Sequence, residues 1–84
     1  MIYKVFSDID FDGTHTSDTQ SVSSLDEALD LYRQVFTTMA ETIVDCGGSL
    51  VTMLYSIDDT DNMVIIKRNT LDTTVNILSD VQHQ

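Results

Sequence analysis

The sequence predicts a single two-layer α+β domain, residues 1–84, in which one long amphipathic helix packs on a mostly antiparallel sheet of three or four strands. The 84-residue chain is long enough for one hydrophobic core and too short for a second domain. A helical repeat of apolar residues runs through its middle, and segments with strand alternation lie on both sides of it. A helix hides its apolar stripe by lying across one sheet face, which gives the predicted order β-α-β-β-β.

The first predicted strand covers residues 2–11. Its odd-numbered positions are mostly apolar, whereas Lys4, Asp8 and Asp10 fall on the other side of the alternation. Gly13 then opens a segment rich in Ser, Thr and Asp that reaches Ser24. Its composition predicts a loop or a short irregular edge strand.

The strongest periodic signal runs from Leu25 to about Asp45, where apolar residues recur every three or four positions. Ser24 is the predicted N-cap, and Glu27 three residues later completes a capping box. Gly47-Gly48 ends the helix, because glycine adopts the left-handed conformation at little steric cost. The sequence therefore predicts a helix of about six turns.

A hairpin is predicted after the helix. Residues 50–57 alternate as a strand with an apolar set at Val51, Met53, Tyr55 and Ile57, residues 58–62 have turn composition, and residues 63–68 form the next strand. Residues 71–81 fit both a helix and a strand, and their β-branched residues favour the strand. Residues 82–84 are predicted to be frayed.

The charge balance narrows the choice of partner. Fourteen acidic residues against four basic ones give a formal net charge of −10. Such a field repels nucleic acid and anionic membranes and speeds encounter with basic surfaces. We therefore expect a protein partner with a basic surface, with no direct nucleic-acid binding and no membrane binding. Acidity that serves solubility alone is the alternative.

Cys46 is the single cysteine, so no intrachain disulfide forms and a disulfide-stapled secreted scaffold is not expected. Neither a signal-peptide pattern nor an apolar stretch of membrane-spanning length is visible, and we expect a cytoplasmic protein. A domain this small has little stability to spare for an enclosed catalytic cavity. The spacing of Cys46, His15 and His83 matches neither a zinc site nor a nucleophile pair.

Asp8, Asp10 and Asp12 precede Gly13 at alternate positions, an arrangement in which tight loops hold hard cations. The segment resembles the start of an EF-hand calcium loop, and the resemblance implies these three Asp residues as metal ligands. It departs from that pattern at Thr19, which stands where the loop has its bidentate Glu. An ordinary strand with outward Asp side chains explains the same residues, and no other cofactor is expected.

The stretch Asp10-Phe11-Asp12-Gly13-Thr14 also resembles the nucleophile motif of the haloacid dehalogenase-like phosphatases. That resemblance would imply attack on phosphorus by Asp10, acid-base catalysis by Asp12 and a bound magnesium ion. The family's distant Lys followed by an acidic pair has no counterpart, because Asp58-Asp59 precedes Lys67. We therefore expect no phosphatase activity, and no enzyme.

Outward carboxylates form the predicted partner-binding surface. In it two Asp clusters, one of Asp8, Asp10 and Asp12 and the other of Asp58, Asp59 and Asp61, make one extended negative area. Carboxylates two apart on a strand are about 6.6 Å from one another, on the scale of nucleic-acid backbone charges. The predicted contact residues are Asp8, Asp10, Asp12, Asp26, Glu27, Asp30, Glu41, Asp58, Asp59 and Asp61.

These observations predict a small acidic protein-binding module that inhibits or modulates a basic, nucleic-acid-binding partner, as phage-type nucleic-acid mimics do against host defences. One alternative is a calcium-like divalent-cation module that uses Asp8, Asp10 and Asp12. The other is a self-associating structural subunit, such as a homodimer, because a sheet with one helix leaves a face uncovered. Leu54, Val64 and Ile66 are the residues expected on that face.

Overall fold

The computed structural model describes residues 1–73 as one helix packed on a four-stranded antiparallel sheet. The elements are β1 (Ile2–Phe11), β2 (Thr14–Val22), α1 (Leu25–Cys46), β3 (Ser49–Ile57) and β4 (Met63–Asp72). The strands lie in the order β2-β1-β3-β4, so β1 and β3 are central and the other two are edges. The predicted two-layer α+β class is confirmed.

The segment predicted to be a loop or a short irregular edge strand is a regular nine-residue edge strand. Asp12 and Gly13 have φ angles of 53° and 74°, and two positive angles at Asp-Gly are typical of a two-residue hairpin turn. This turn places Thr14 opposite Phe11 and continues the pairing along nearly all of β1. The order is therefore β-β-α-β-β instead of β-α-β-β-β, because the turn outweighs the polar composition of β2.

β4 is longer than the predicted strand 63–68. It extends to Asp72 and so includes Leu71 and Asp72, the first residues of the ambiguous tail. Residues 74–84 lie outside the described part of the chain. Most of the strand predicted for residues 71–81, and the predicted frayed end, therefore lie outside the described residues as well.

The helix begins and ends where the sequence predicts. The hydroxyl of Ser24 accepts a hydrogen bond from the Glu27 N–H at 3.4 Å, and N-caps of this kind contribute about 1 kcal/mol. Gly47, with a φ of 79°, donates its N–H to the Ile43 carbonyl at 2.8 Å. Within residues 1–73, no helix combines the length and the apolarity needed to cross a membrane.

The hydrophobic core lies between α1 and one face of the sheet, in two adjoining clusters. Near the start of the helix the buried residues are Val5, Ala28, Tyr32 and Leu54, and near its end they are Ile9, Ile43 and Leu50. The predicted apolar set of β1 faces the helix. Because β1 and β3 are central, the helix covers them and leaves the two edges largely exposed.

β3 presents to the helix the opposite set of residues from the one that its apolar alternation indicates. Leu50, Thr52, Leu54 and Ser56 are buried, and the residues between them are half-buried on the other face. The register decides this, because Leu54 pairs with Val5 and cross-strand partners share a face. The prediction for Leu54 is therefore wrong: it has no exposed surface, and Met53 and Tyr55 lie on the uncovered face.

A polar contact makes it possible for Thr52 to lie in the core. The hydroxyl of Tyr32 is 2.9 Å from Thr52 Oγ1, and Asn69 Nδ2 donates to the same Tyr32 hydroxyl at 2.6 Å. Because Asn69 is the donor there, the Tyr32 proton is free to be donated to Thr52. A buried hydroxyl is costly unless it is hydrogen-bonded, and these contacts join α1, β3 and β4.

The topology gives the molecule two distinct ends. In the antiparallel pairing of β1 with β3, Ile2 lies opposite Ile57 and Asp10 lies opposite Ser49. The β3–β4 turn, residues 58–62, and the start of α1 therefore share one end, called here the turn end. The β1–β2 turn and the end of α1 share the other, the hairpin end. Eight residues of strand, about 26 Å, separate the two.

Gly48 permits a close approach at the hairpin end. A Cβ atom there would overlap the Asp10 carbonyl oxygen and lie 3.0 Å from the Phe11 Cβ, and the φ angle of Gly48 is 133°. Its N–H donates to Thr73 Oγ1 at 3.1 Å. The connection from α1 to β3 therefore passes β1 only with a glycine at this position.

Candidate functional site

The ten predicted partner-binding residues divide between the two ends. The turn end holds Asp26, Glu27, Asp30, Asp58, Asp59 and Asp61, and the hairpin end holds Asp8, Asp10, Asp12 and Glu41. The single extended surface predicted from the two Asp clusters is not formed. Its halves follow opposite ends of the central strands, about 26 Å apart.

The turn end carries six of the fourteen acidic residues of the chain. Asp30 lies 3.9 Å from the Arg33 guanidinium, and both side chains are more than 70% exposed, so this pair contributes little to stability. The other five carboxylates of the turn end have no cationic partner within residues 1–73. Their charges are available to a partner molecule.

Asp58 shapes the turn that carries its neighbours. Its Oδ1 accepts hydrogen bonds from the Thr60 hydroxyl and the Thr60 N–H, both at 2.8 Å, and from the Asn62 N–H at 3.0 Å. These bonds, led by the Thr60 hydroxyl, hold the pKa of Asp58 below its ordinary value. Asp58 thus orders the turn, and Asp59 and Asp61 are exposed beside it.

The hairpin end brings together a different cluster from the predicted Asp8, Asp10 and Asp12. Asp8 and Asp10 share the uncovered face of β1, and His15 of β2 pairs with Asp10. The His15 Nε2 contacts the Asp8 carboxylate, and one donor atom from each of Asp8, Asp10 and His15 lies within 4.8 Å of the other two. Asp12 occupies the turn and is not part of this group.

His15 completes the cluster and changes its chemistry. The hydrogen bond to Asp8 raises the pKa of His15, and the negative charges of Asp8 and Asp10 add to the effect. An imidazole with two carboxylates suits zinc or manganese better than calcium, which takes oxygen ligands. Sequence reasoning missed His15, although the Asp12-Gly13 turn contained the signal, because a two-residue turn places residue 15 opposite residue 10.

The phosphatase-like stretch lies in surroundings unlike those of such an enzyme. Residues 10–14 line a shallow depression, open to solvent, together with Cys46, Gly47 and Gly48. Its lining residues include no Lys or Arg that would neutralise a phosphate. The stretch belongs to an antiparallel hairpin, whereas the family it resembles places the motif at the end of a parallel strand.

The uncovered face and the β4 edge expose apolar side chains. Ile2, Met63 and Ile65 are 49%, 56% and 49% exposed and flank the half-buried Met53 and Tyr55. Val64 and Ile66, predicted for the uncovered face, are 59% and 40% exposed. Val64 pairs with the buried Ser56 and so lies on the helix side of the sheet, beyond the cover of the helix.

Comparisons of the chain with protein-family models, with curated proteins and with solved structures give no match.

Proposed function

We propose that this chain is a small acidic protein-binding module that contacts a basic surface of a partner protein through its turn end. The observation that supports it most is the six carboxylates of the turn end, five of which have no cationic partner within residues 1–73. In a chain of net charge −10, such a surface attracts Lys and Arg side chains and repels nucleic acid.

The partner class follows from the chemistry of these groups. Carboxylates form short, charge-assisted hydrogen bonds with Arg and Lys, and such cations line the grooves in which proteins hold nucleic-acid backbones. A module that occupies such a groove inhibits or modulates the nucleic-acid-binding partner by competition, as phage-type nucleic-acid mimics do, and needs no catalytic step. We place the module in the cytoplasm, where such partners and free thiols like that of Cys46 are found.

Two charge-matched triple variants test which end binds. The turn-end variant carries Asp26→Asn, Glu27→Gln and Asp59→Asn, and the hairpin-end control carries Asp12→Asn, Glu41→Gln and Asp45→Asn. Each removes three negative charges, so the net charge is equal and only its position differs. We expect basic proteins captured from lysate by the wild type to be retained by the control and lost by the turn-end variant.

The electrostatic mechanism has its own readouts. Capture at about 500 mM salt is expected to be much weaker than at about 50 mM, because exposed charges are screened, and double-stranded DNA is expected to displace the module from its partner. Binding that is unchanged by salt, or equal loss in both triple variants, would contradict the proposal. Circular dichroism of each variant shows whether it folds.

A divalent-cation site at the hairpin end is a second candidate function, favoured by the convergence of Asp8, Asp10 and His15 donor atoms within 4.8 Å. Two carboxylates and one imidazole offer three ligands and leave positions open to water, which suits zinc or manganese. The ligand set differs from the predicted one, because His15 takes the place of Asp12.

Amide NMR shifts on titration with zinc, manganese and calcium separate these possibilities. We expect zinc to shift the signals of residues 8–10 and 15, and His15→Gln to abolish the shift. Asp12→Asn is the control, because it removes a carboxylate from the same hairpin but outside the cluster. A response to calcium that depends on Asp12 and not on His15 would instead support the EF-hand-like site, and no response at millimolar metal would remove the candidate.

A further inference from the structure

The uncovered face of the sheet has a continuous apolar area in the half nearest the turn end. Its side chains come from β1, β3 and β4 and adjoin one another through the strand pairing. They are Ile2, Phe6, Met53, Tyr55, Ile57, Met63 and Ile65. Lys4, beside Tyr55, is the one charged residue that the two central strands place among them. Exposed apolar areas of this kind usually mark a surface that binds another molecule.

The other half of the same face is acidic. Asp8 and Asp10 occupy the next two positions of β1 on this face, beside Val51 and Ser49 of β3, and His15 of β2 pairs with Asp10. The face is therefore apolar towards the turn end and negatively charged towards the hairpin end. Whatever covers the face has to match both halves.

We propose that the uncovered face packs against the same face of a second copy, about a two-fold axis that runs along the strands between β1 and β3. This axis keeps the turn ends of both copies together and exchanges the central strands, so that β1 of each copy lies over β3 of the other. Sheets that pack face to face lie about 10 Å apart, with their strands within about 30° of one another. The contact is isologous and closes after two copies.

Residues that are neighbours across β1 and β3 in one chain meet again between the copies. The facing pairs are Ile2 with Ile57, Lys4 with Tyr55, and Phe6 with Met53. Lys4 is thereby placed over the ring of Tyr55 of the second copy, where an ammonium group is attracted to the ring. The Met53 sulfur is placed against the Phe6 ring, which is a favourable contact as well. Because the symmetry repeats each pair, the face is complementary to itself.

An axis across the strands would give a less favourable packing. It would turn the second copy end over end and lay the apolar half of each face over Asp8 and Asp10 of the other copy. Carboxylates that are buried against apolar side chains without a cation are strongly unfavourable. The axis along the strands instead leaves these carboxylates at one end of the interface, within reach of water. The charge distribution of the face therefore selects this orientation.

The extent of the face also suits a second copy. Four strands about 4.8 Å apart and about nine residues long form a face of roughly 19 by 30 Å, so two copies bury about 1,100 Å² between them. This area is just above the roughly 1,000 Å² that a specific interface needs. We therefore expect a weak dimer that dissociates on dilution.

The net charge of −10 determines how the dimer responds to salt. The two copies repel each other, and their acidic ends lie side by side, so screening favours association. An increase from about 50 mM to about 500 mM salt is expected to tighten the dimer about three-fold or more, because the repulsion is screened. This response is opposite to the one expected for binding of a basic partner, so the two proposals succeed or fail independently.

Sedimentation equilibrium of the full chain at increasing protein concentration tests the proposal. We expect a mass that rises with concentration towards twice that of the monomer. Met53→Lys places a charge in the apolar centre of the interface and is expected to weaken the dimer at least about ten-fold. Gln34→Lys is the matched control, since it adds the same charge at an exposed position of α1, on the other side of the sheet, and is expected to leave the dimer intact.

Ile65→Lys gives a second test on the same face, for which folding is less at risk. Ile65 is 49% exposed and belongs to an edge strand, where a lysine is well tolerated. We expect this variant to weaken the dimer as well. Circular dichroism of each variant shows whether it folds.

Nuclear Overhauser effects between the copies test the orientation. In a mixture of isotope-labelled and unlabelled chains, a half-filtered experiment detects only contacts from one copy to the other. We expect such contacts between the methyl groups of Ile2 and Ile57. Contacts from Ile57 to Ser49 or Asp10 of the other copy would show the end-over-end arrangement and contradict the proposed axis.

Several other outcomes would overturn the proposal. A monomer at all protein and salt concentrations, equal effects of Met53→Lys and Gln34→Lys, or a dimer that weakens as salt rises would each do so. Loss of the dimer in Val64→Lys with no effect of Met53→Lys would overturn it as well, because the interface would then lie at the β4 edge. None of these outcomes depends on whether the turn end binds a basic protein.

Discussion

Replacement of Tyr32 by Phe tests the polar contact that joins α1 to β3. The Tyr32 hydroxyl is 2.9 Å from Thr52 Oγ1, and Thr52 has no exposed surface. Without this partner the Thr52 hydroxyl is buried out of reach of water, and an unsatisfied buried polar group costs about 1–3 kcal/mol. We expect Tyr32→Phe to lower the free energy of unfolding by this amount, a large fraction of the roughly 5–15 kcal/mol typical of a domain.

The complementary change distinguishes the hydrogen bond from general packing. In Thr52→Val the Tyr32 hydroxyl keeps Asn69 as a partner, so we expect a loss of about 1 kcal/mol or less. The double variant Tyr32→Phe/Thr52→Val leaves no hydroxyl unsatisfied. Its loss is expected to be smaller than the sum of the two single losses by about 0.5–1.5 kcal/mol.

Urea unfolding followed by circular dichroism, with linear extrapolation and comparison of m-values, measures these quantities. All variants are compared at one protein concentration, because dimer formation would add to the apparent stability. A loss below about 0.5 kcal/mol for Tyr32→Phe, or additive effects in the double variant, would show that the contact does not stabilise the packing of α1 on β3.

Three further predictions concern the hairpin end and the turn. Gly48→Ala is expected to lower the free energy of unfolding by more than about 3 kcal/mol, because its Cβ would overlap the β1 backbone. Gly13 has open space around it, so Gly13→Ala is expected to lower it by only about 1–2 kcal/mol. Thermal unfolding compares the two variants. Hydrogen bonds in the turn lower the pKa of Asp58, so its charge stabilises the fold above the unfolded pKa of about 3.8. This contribution is lost as the pH falls through the folded pKa, and the stability gap between wild type and Asp58→Asn is expected to close in acid. The pKa of His15 is raised, so the protonated imidazole stabilises the fold below the unfolded pKa of about 6.5, and this contribution is lost as the pH rises through the folded pKa. NMR titration in the presence of a chelator is expected to show the raised pKa, and Asp8→Asn is expected to return it towards the ordinary value.

Predictions that depended on neighbouring residues agree best with the structure. Ser24 and Gly47 bound the helix as expected, because capping involves only residues within one turn of the helix. The polar composition of residues 14–22 leaves a loop and a short irregular edge strand as alternatives, and the Asp12-Gly13 turn decides for a long edge strand. The same turn sets the register that brings His15 to Asp8, which the composition of the segment does not indicate.

The fold class, the limits of the helix and the excess of negative charge can be derived from the chain alone, since they follow from composition, period and local turn chemistry. Which face of β3 is buried, and at which end each charge lies, depends on how the strands pair. Leu54 and Val5 are far apart in the chain, and only their pairing shows that the helix covers Leu54. Because β1 and β3 are antiparallel, the two Asp clusters lie at opposite ends. Strand register sets the face and the end at which a residue lies, and register is a relation between distant segments that no local pattern contains.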